Sequence, residues 1–330
     1  MQKAESFKSL GTCGEFFYQN NQARVKSLLF QAAEQRQLAK ARRLGLDFEK
    51  LSQEAQEQAL FELVMTSLGY SQYKESFLAL AQDLPLVQVN EILKGPESKA
   101  KLLGHWAGRL GLLEASSVHE CYQKDWAQMR AYRAPLRHLV VVKGRPSNHP
   151  LKRLAGLYYH LLGLGNEPWM KVWLRFFFSA EKHLAQEKRP LPKIVHDLDQ
   201  LFGQAPNEPL AQLESPQSQK IKPQPERLLG ASRQRVILIN ALMPFFLAWS
   251  QSRGDRNLER TLFSLFLILP AEGENHKTLA MEARLGLASG RFKKNLSYHQ
   301  GLIHFYDQLC QPAYPDCLAC SLPNMIKNGG

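Results

Sequence analysis

The chain has 330 residues, 44% hydrophobic and 22% charged, a balance typical of globular proteins that bury a sizeable core. The formal net charge of +12 favours polyanionic partners, nucleic acid first and an anionic membrane surface second. Five cysteines in a chain of this length do not fit a disulfide framework, and the N-terminal residues lack the apolar run of a signal peptide. These features exclude a small disulfide-rich secreted protein and predict a cytoplasmic one.

The first predicted helix, Ala23–Leu44, is rich in good helix formers. We expect Gly45 to end it, because glycine adopts the left-handed conformation common after helices. Its cations predict one basic face, made by Arg24, Lys26, Arg36, Lys40, Arg42 and Arg43. Ser52 is a predicted N-cap for a second helix that Gly69 ends.

Helical patterns continue through most of the remaining chain. The predicted helices are Glu75–Asp83, Leu86–Leu93, Glu97–Leu113, His119–Tyr132, His149–Leu162, Pro168–Leu184, Leu191–Phe202, Ser232–Trp249, Asn257–Leu269, Lys277–Ala288 and Leu296–Leu309. The β-branched run Leu139–Val142 is short and predicts an extended connector. Neither of the most apolar stretches, Val236–Trp249 and Leu262–Leu269, reaches the roughly 20 residues of a membrane-spanning helix, so we expect both to be buried core helices.

Residues 204–229 are rich in Pro, Gln, Ser and Glu and poor in large apolar side chains. This composition predicts either a flexible linker or a long excursion within one domain. The sequence therefore predicts an all-α multi-helix array. It comprises an N-terminal helical region over 1–203, the linker over 204–229, and a C-terminal helical region over 230–330 that ends in a three-cysteine loop.

The three C-terminal cysteines, Cys310, Cys317 and Cys320, follow a C-x6-C-x2-C spacing. Thiolates two residues apart in a tight turn can hold zinc or an iron–sulfur cluster, and the third can return from the preceding helix. A closed metal site requires a fourth ligand. The candidates are Cys13, Cys121, His299 and His304. The alternative is a cysteine cluster with a packing role alone.

A polar turn before a predicted helix contains Arg145, Asn148 and Arg153. Two guanidinium groups beside a helix start can clamp a phosphate or carboxylate. The alternative is that Asn148 caps the helix and the arginines form structural ion pairs. The aromatic run Trp169–Phe178 is similarly open to two interpretations, and we favour helix core over a base-stacking platform.

A second polar turn, Pro270–Lys277, contains Glu272, Glu274 and His276. These side chains are candidates for acid–base or metal chemistry. The alternative, which we favour, is an acidic first helical turn that Asn275 caps.

Five phrases of the sequence together resemble one family. They are Asp83–Leu86, Arg145–Arg153, Leu229–Pro244, Leu269–Asn275 and Gln300–Cys320. In order and spacing they resemble the bacterial family named domain of unknown function 2851, and they include a candidate polar cluster of Asn240, Glu272 and Asn275. Members usually carry an additional N-terminal portion reminiscent of the PD-(D/E)XK nuclease core. The resemblance implies that this chain is the helical C-terminal half without that portion.

Three functions are consistent with these features. The leading hypothesis is a non-catalytic helical module that binds nucleic acid through a basic surface, including Arg36, Lys40, Arg42 and Arg43, beside a nuclease-like partner domain. The second is a scaffold that docks a separately encoded N-terminal half. The third is a metal-dependent enzyme with a polar pocket lined by Arg145, Glu272 and Asn275.

Overall fold

The computed structural model describes residues 22–114, 117–136, 149–165, 167–203, 208–287, 294–313, 320 and 322. These residues are predominantly helical. Their β-type pairing is limited to two isolated bridges, Leu213 with Ile221 and Pro270 with Asn295, so the described part of the chain contains no β-strand. The all-α prediction is therefore confirmed.

The helices agree closely with the periodicity of the sequence. In chain order they are α1 (Gln22–Arg43), α2 (Gln53–Asp83), α3 (Leu86–Lys94), α4 (Ser98–Arg109), α5 (Gln123–Ala131), α6 (Pro150–Leu164), α7 (Trp169–Gln186), α8 (Leu191–Leu201), α9 (Ala231–Ile237), α10 (Met243–Arg253), α11 (Arg256–Ile268), α12 (His276–Arg284) and α13 (Leu296–Phe305). Two π-helical turns, Leu238–Leu242 and Tyr306–Cys310, extend α9 and α13. Three short 3-10 turns, Leu112–Glu114, Glu120–Tyr122 and Pro209–Ala211, lie in the connections.

The chain forms two compact units. The described residues of Met1–Gly45 and Phe246–Gly330 belong to the first unit, and those of Leu46–Phe245 belong to the second. The sequence predicted a linker between two helical regions at 204–229 from composition, whereas these two units are defined by contacts between residues. The composition-based boundary stays a prediction.

The first unit is organised by the close approach of α1 and α13. Gly301 permits this approach, because a Cβ at this position would collide with the backbone carbonyl oxygen of Leu29. The apolar residues buried around this contact form one cluster: Val25, Leu29, Ala32, Met281, Leu285, Leu287, Tyr298, Leu302, Phe305 and Leu322. Burial of this cluster stabilises the unit through the hydrophobic effect.

In the second unit, α2 consists of two helical segments on either side of a kink. Ser52 caps it as expected, its hydroxyl oxygen accepting from the backbone N–H of Ala55 at 3.1 Å. The predicted break at Gly69 is confirmed within one residue, because Tyr70 (φ 55°, ψ −156°) is non-helical and a second helical segment follows it, where the sequence predicted the helix Glu75–Asp83. A Cβ at Gly69 would lie 2.8 Å from the backbone of Lys74, so glycine is needed where the chain folds tightly onto its next turn.

The described residues of the predicted linker, 208–229, are hydrogen-bonded within the second unit. The backbone N–H of Lys222 donates to the carbonyl oxygen of Gln212, and that of Glu226 donates to Ala211, each at 2.8 Å. Leu210 and Leu213 are fully buried. This stretch packs as an excursion from the helices of its unit, one of the two interpretations its composition allowed.

Both apolar stretches of the sequence are helical in the structure, and most of their large side chains are buried. Among the described helices, none is both long and apolar enough to cross a membrane. The predicted connector Leu139–Val142 lies outside the described residues.

Candidate functional site

Helix α7 has one apolar face and one basic face. Trp169, Trp173 and Phe177 are buried in the second unit. The opposite face is exposed and carries Lys171, Arg175, Phe178 and Lys182, whose i, i+4, i+7 and i+11 spacing aligns them along the helix. We call these four residues the α7 stripe.

Phe178 is the unusual member of the α7 stripe. Its side chain is 51% exposed, although the aromatic residues immediately before it are buried. Arg175 forms an ion pair with Glu167, and both side chains are largely exposed, so solvent screens this pair strongly. Lys188 and Arg189 follow the end of α7 and are also exposed. The stripe therefore presents cations on both sides of an exposed aromatic ring.

The predicted basic face of α1 divides into two parts. Arg36 donates to Gln300 at 3.1 Å and to Asp307 at 2.9 Å, and Lys40 donates to Gln300 at 3.3 Å. Arg42 and Arg43, in the last turn, are exposed. Helix α13 and the turn after it engage Arg36 and Lys40, whereas Lys26, Arg42 and Arg43 of this set are exposed.

Gln300 is the centre of a polar cluster in the first unit. Its side chain is buried, its carbonyl oxygen accepts from Arg36 and Lys40, and its amide donates to Glu272 at 2.6 Å. Lys277 binds the second carboxylate oxygen of Asp307 at 2.6 Å, which ties α12 to the same cluster. The sequence singled out Glu272 but gave no indication that Gln300 would be its partner.

Burial lowers the pKa of two groups at this cluster. It lowers the pKa of Lys40 to about 7, with the positive charge of Arg36 acting in the same direction and Glu272 opposing it. Burial also lowers the pKa of His299, against the opposing effect of Glu272, whose carboxylate lies 3.8 Å from the imidazole Nδ1. An amine whose pKa is lowered to near neutrality close to a carboxylate is a recognised signature of functional sites.

The residues of the predicted Asn240–Glu272–Asn275 cluster belong to two units. Glu272 and Asn275 lie in the first, where Asn275 caps α12 in a reciprocal box with Thr278, as predicted. The expected acidic first turn is wrong, because Glu272 and Glu274 precede the cap and the first turn of α12 holds no acidic residue. Asn240 is exposed in a π-helical turn of the second unit. The cluster, and the enzyme pocket that included Arg145, stay predictions.

Of the predicted anion clamp, Arg153 is described, whereas Arg145 and Asn148 lie outside the described residues. Arg153 is buried in α6 and donates to the carbonyl oxygen of Leu68 at 2.9 Å. His149 is the N-cap of α6, and its ring nitrogen accepts from the backbone N–H of Leu151 at 3.2 Å. Arg153 thus has a structural hydrogen bond, and its predicted role in anion binding remains a proposal.

Two of the three predicted metal-binding cysteines are described. Cys310 and Cys320 both pack against the apolar cluster of the first unit, and Arg284 contacts the sulfur of Cys310. Within the described residues, no group of three or more His, Cys, Asp and Glu side chains is placed to hold a metal ion. Cys317 lies outside those residues, so the three-cysteine site stays a prediction.

The sequence model of one family, described as "Protein of unknown function (DUF2851)", matches residues 1–276. The chain belongs to this family. The family resemblance predicted from its phrases is confirmed, although the Gln300–Cys320 phrase lies outside the matched residues. No curated protein and no solved structure matches the chain.

Membership in DUF2851 names no reaction, so function must be argued from the side chains themselves. The α7 stripe was not predicted from the sequence, because Trp169–Phe178 was interpreted as one aromatic run. The spacing of Lys171, Arg175 and Lys182 was the available signal. Cations at i, i+4 and i+11 share a helix face, and Phe178 at i+7 shares it with them.

Proposed function

We propose that this DUF2851 protein binds single-stranded nucleic acid through the α7 stripe. The observation that carries the proposal is the exposed Phe178 between Lys171, Arg175 and Lys182 on one helix face. Cations attract the phosphate backbone, and an exposed ring stacks on unpaired bases of any sequence. The net charge of +12 adds a long-range attraction to the same ligand.

The geometry of the stripe suits a single strand. Lys171 and Arg175, four residues apart, lie roughly 6 Å apart along the helix, a distance comparable to the phosphate spacing of an extended strand, and Lys182 lies about 10 Å beyond Arg175. A ring flanked by cations can stack on a base while its neighbours hold the adjoining phosphates. A duplex hides its base faces, so Phe178 would contribute little to duplex binding.

Fluorescence anisotropy with labelled single-stranded oligonucleotides across a salt series tests the proposal. Changing Lys171, Arg175 and Lys182 to Gln removes up to three phosphate contacts. We expect the slope of log affinity against log salt to become shallower by about 2, since each contact contributes roughly 0.7 for a single strand. Phe178→Ala should weaken binding about tenfold and leave that slope unchanged.

Two matched controls separate the stripe from total charge and total apolar surface. Lys50, Lys94 and Arg133 are exposed cations elsewhere in the second unit, and changing all three to Gln removes the same charge. Leu162→Ala removes a side chain that is 46% exposed. Equal losses in the stripe and control variants, or no binding at low salt, would refute the proposal.

The nuclease-like partner implied by the family resemblance fits this proposal, since such a partner would act on the strand held at the stripe. The alternatives, a scaffold for a separately encoded half and an enzyme with a polar pocket, require no salt-dependent binding. A pull-down with the separately expressed nuclease-like portion of a related protein addresses the scaffold. Retention of that portion by the stripe variant, without nucleic acid, would favour the scaffold over our proposal.

A further inference from the structure

A cavity of about 610 Å³ lies in the second unit, where the starts of α2, α3 and α7 meet. This volume is within the range of small-molecule sites, which is roughly 300–1,000 Å³. The lining comes from all three helices and from the residues just before them. The second unit therefore contains a concave site large enough for a small ligand.

Part of the cavity lining is apolar. It is made by Pro85, Leu86, Val87, Pro168 and Trp169. Leu86 and Trp169 are buried, whereas Val87 is 50% exposed. A ligand in the cavity would cover Val87 and so remove apolar surface from water. This part of the lining suits an aliphatic ligand.

The charged part of the cavity lining is acidic. It consists of Glu54, Glu57 and Glu167, on a chain whose net charge is +12. Glu167 forms an ion pair with Arg175, so its charge is partly compensated. Glu54 is exposed and lies three residues before Glu57, on the same face of α2. The carboxylates of Glu54 and Glu57 therefore favour a cation in the cavity.

Helix starts attract anions, but the donors beside this cavity already have acceptors. The backbone N–H groups of Trp169 and Met170, at the start of α7, donate to Glu57 at 2.8 and 3.0 Å. The backbone N–H of Leu86, at the start of α3, donates to the side-chain oxygen of Gln58 at 2.8 Å. An anionic ligand would have to compete with Glu57 and Gln58 for these donors. The hydrogen bonds at the helix starts thus also favour a cation over an anion.

Glu57 is the buried carboxyl group of the cavity, with 8% of its surface exposed. Each carboxylate oxygen has two lone pairs, so Glu57 can accept from a ligand in addition to the two N–H groups. Burial raises the pKa of Glu57, and those two N–H groups oppose the rise. Carboxyl groups with a raised pKa in a cleft are frequent at functional sites. A cation held beside Glu57 would favour its charged form.

We propose that this cavity binds a small aliphatic diamine or polyamine. One ammonium group would bind between Glu54 and Glu57, and the methylene chain would pack against Val87 and the buried apolar lining. Glu167 offers a further carboxylate for a second ammonium group. The site takes no part in the proposed binding of nucleic acid, so this inference goes beyond the proposed function.

Isothermal titration calorimetry of the full chain with cadaverine, a five-carbon diamine, tests the site. The diol of equal chain length is the neutral reference. We expect cadaverine to bind wild type and the diol to give no heat of binding. Glu54→Gln should weaken cadaverine binding about threefold, since an exposed ion pair contributes modestly. Glu75→Gln removes the same charge from an exposed position farther along α2 and should bind as wild type does.

Val87→Trp tests the cavity itself, because the larger side chain fills space without changing the charge. We expect this variant to lose cadaverine binding. Circular dichroism must show that it is folded, and Glu54→Gln provides a second variant at an exposed position. No binding of cadaverine to wild type, equal binding of the diol, or wild-type affinity in both variants would overturn the proposal.

Two further measurements separate this site from the α7 stripe. Glu54→Gln should keep its affinity for the single-stranded oligonucleotide, and Phe178→Ala should keep its affinity for cadaverine. Failure of the amine site would leave the first affinity intact, whereas failure of the proposed function would leave the second intact. The two failures are therefore distinguishable.

Discussion

The side-chain amide of Gln300 donates to the carboxylate of Glu272 at 2.6 Å, and both residues are buried in the first unit. The other end of the Gln300 amide accepts from Arg36 and Lys40 of α1. One uncharged side chain thus joins two cations from one segment to an anion from another. We expect the stability of the first unit to depend on this junction. Without the Gln300 amide, Arg36, Lys40 and Glu272 would each lose a hydrogen-bond partner where water replaces it poorly.

Gln300→Ala should destabilise the protein by about 2–4 kcal/mol, since it removes three hydrogen bonds and leaves a buried carboxylate with less support. Urea denaturation followed by circular dichroism measures the change. Gln31→Ala on the exposed side of α1 is the matched control and should change stability by less than about 0.5 kcal/mol. Equal effects of the two substitutions would contradict the role of Gln300.

Lys40 should make stability depend on pH in the alkaline range. Its folded pKa of about 7 is below its unfolded value of 10.5, so between these values the unfolded state binds more protons and stability rises with pH. The destabilising effect of Lys40 is therefore largest below pH 7. We expect Lys40→Met to stabilise the protein most at low pH and progressively less toward pH 10.

Urea denaturation of wild type and Lys40→Met at several pH values measures this difference. Lys26→Met, in an exposed position of the same helix, is the control and should give a difference that does not vary with pH. A pH-independent difference for Lys40→Met would contradict a depressed lysine pKa.

His160 should make the second unit sensitive to acid. Burial lowers its pKa to about 4, partly opposed by its hydrogen bond to the carbonyl oxygen of Leu201, and its ring stacks on Phe202. Below pH 6.5, the approximate pKa of histidine in the unfolded state, the unfolded state binds a proton that the folded state does not bind. Stability therefore decreases as the pH is lowered. Between pH 7 and 4 we expect a loss of about 3 kcal/mol from this residue.

Comparison of wild type with His160→Phe isolates that loss, because other titrating groups are common to both proteins. The variant should be less stable at pH 7, where it lacks the hydrogen bond, and the gap should close or reverse toward pH 4. Parallel pH profiles would show that His160 does not titrate as inferred.

Glu57 should be essential to the start of α7. Its two carboxylate oxygens accept from the backbone N–H groups of Trp169 and Met170 at 2.8 and 3.0 Å, although burial raises its pKa. Glu57→Ala would leave two buried donors without their acceptor, and we expect a loss of about 2–4 kcal/mol. Glu54→Ala, an exposed position one turn earlier in α2, should have little effect on the denaturation midpoint.

Much of the local structure was predictable because its causes lie within a few residues. Ser52 and Asn275 were identified as caps from residue type and position, and the break near Gly69 was located within one residue. The helix beyond that break was predicted as Glu75–Asp83, and the structure starts it a few residues earlier. How soon helical hydrogen bonding resumes after a kink depends on packing around the kink, which local composition does not report.

The sites were less predictable than the helices. Arg36 and Lys40 were assigned to an outward basic face, yet their partner Gln300 lies 264 and 260 positions away in the chain. Periodicity shows which residues share a helix face. It does not show which face another helix covers.

The sequence by itself determined the all-α class, the helix starts and stops, the family and the excess of positive charge, because these follow from composition, local spacing and ordered phrases. The tertiary structure alone decided which cations are buried and which are exposed. Gly301 brings α13 against α1 and engages Arg36 and Lys40, whereas the opposite face of α7 stays open and leaves Phe178 exposed. Burial depends on which distant segments meet, and that is a property of the folded chain.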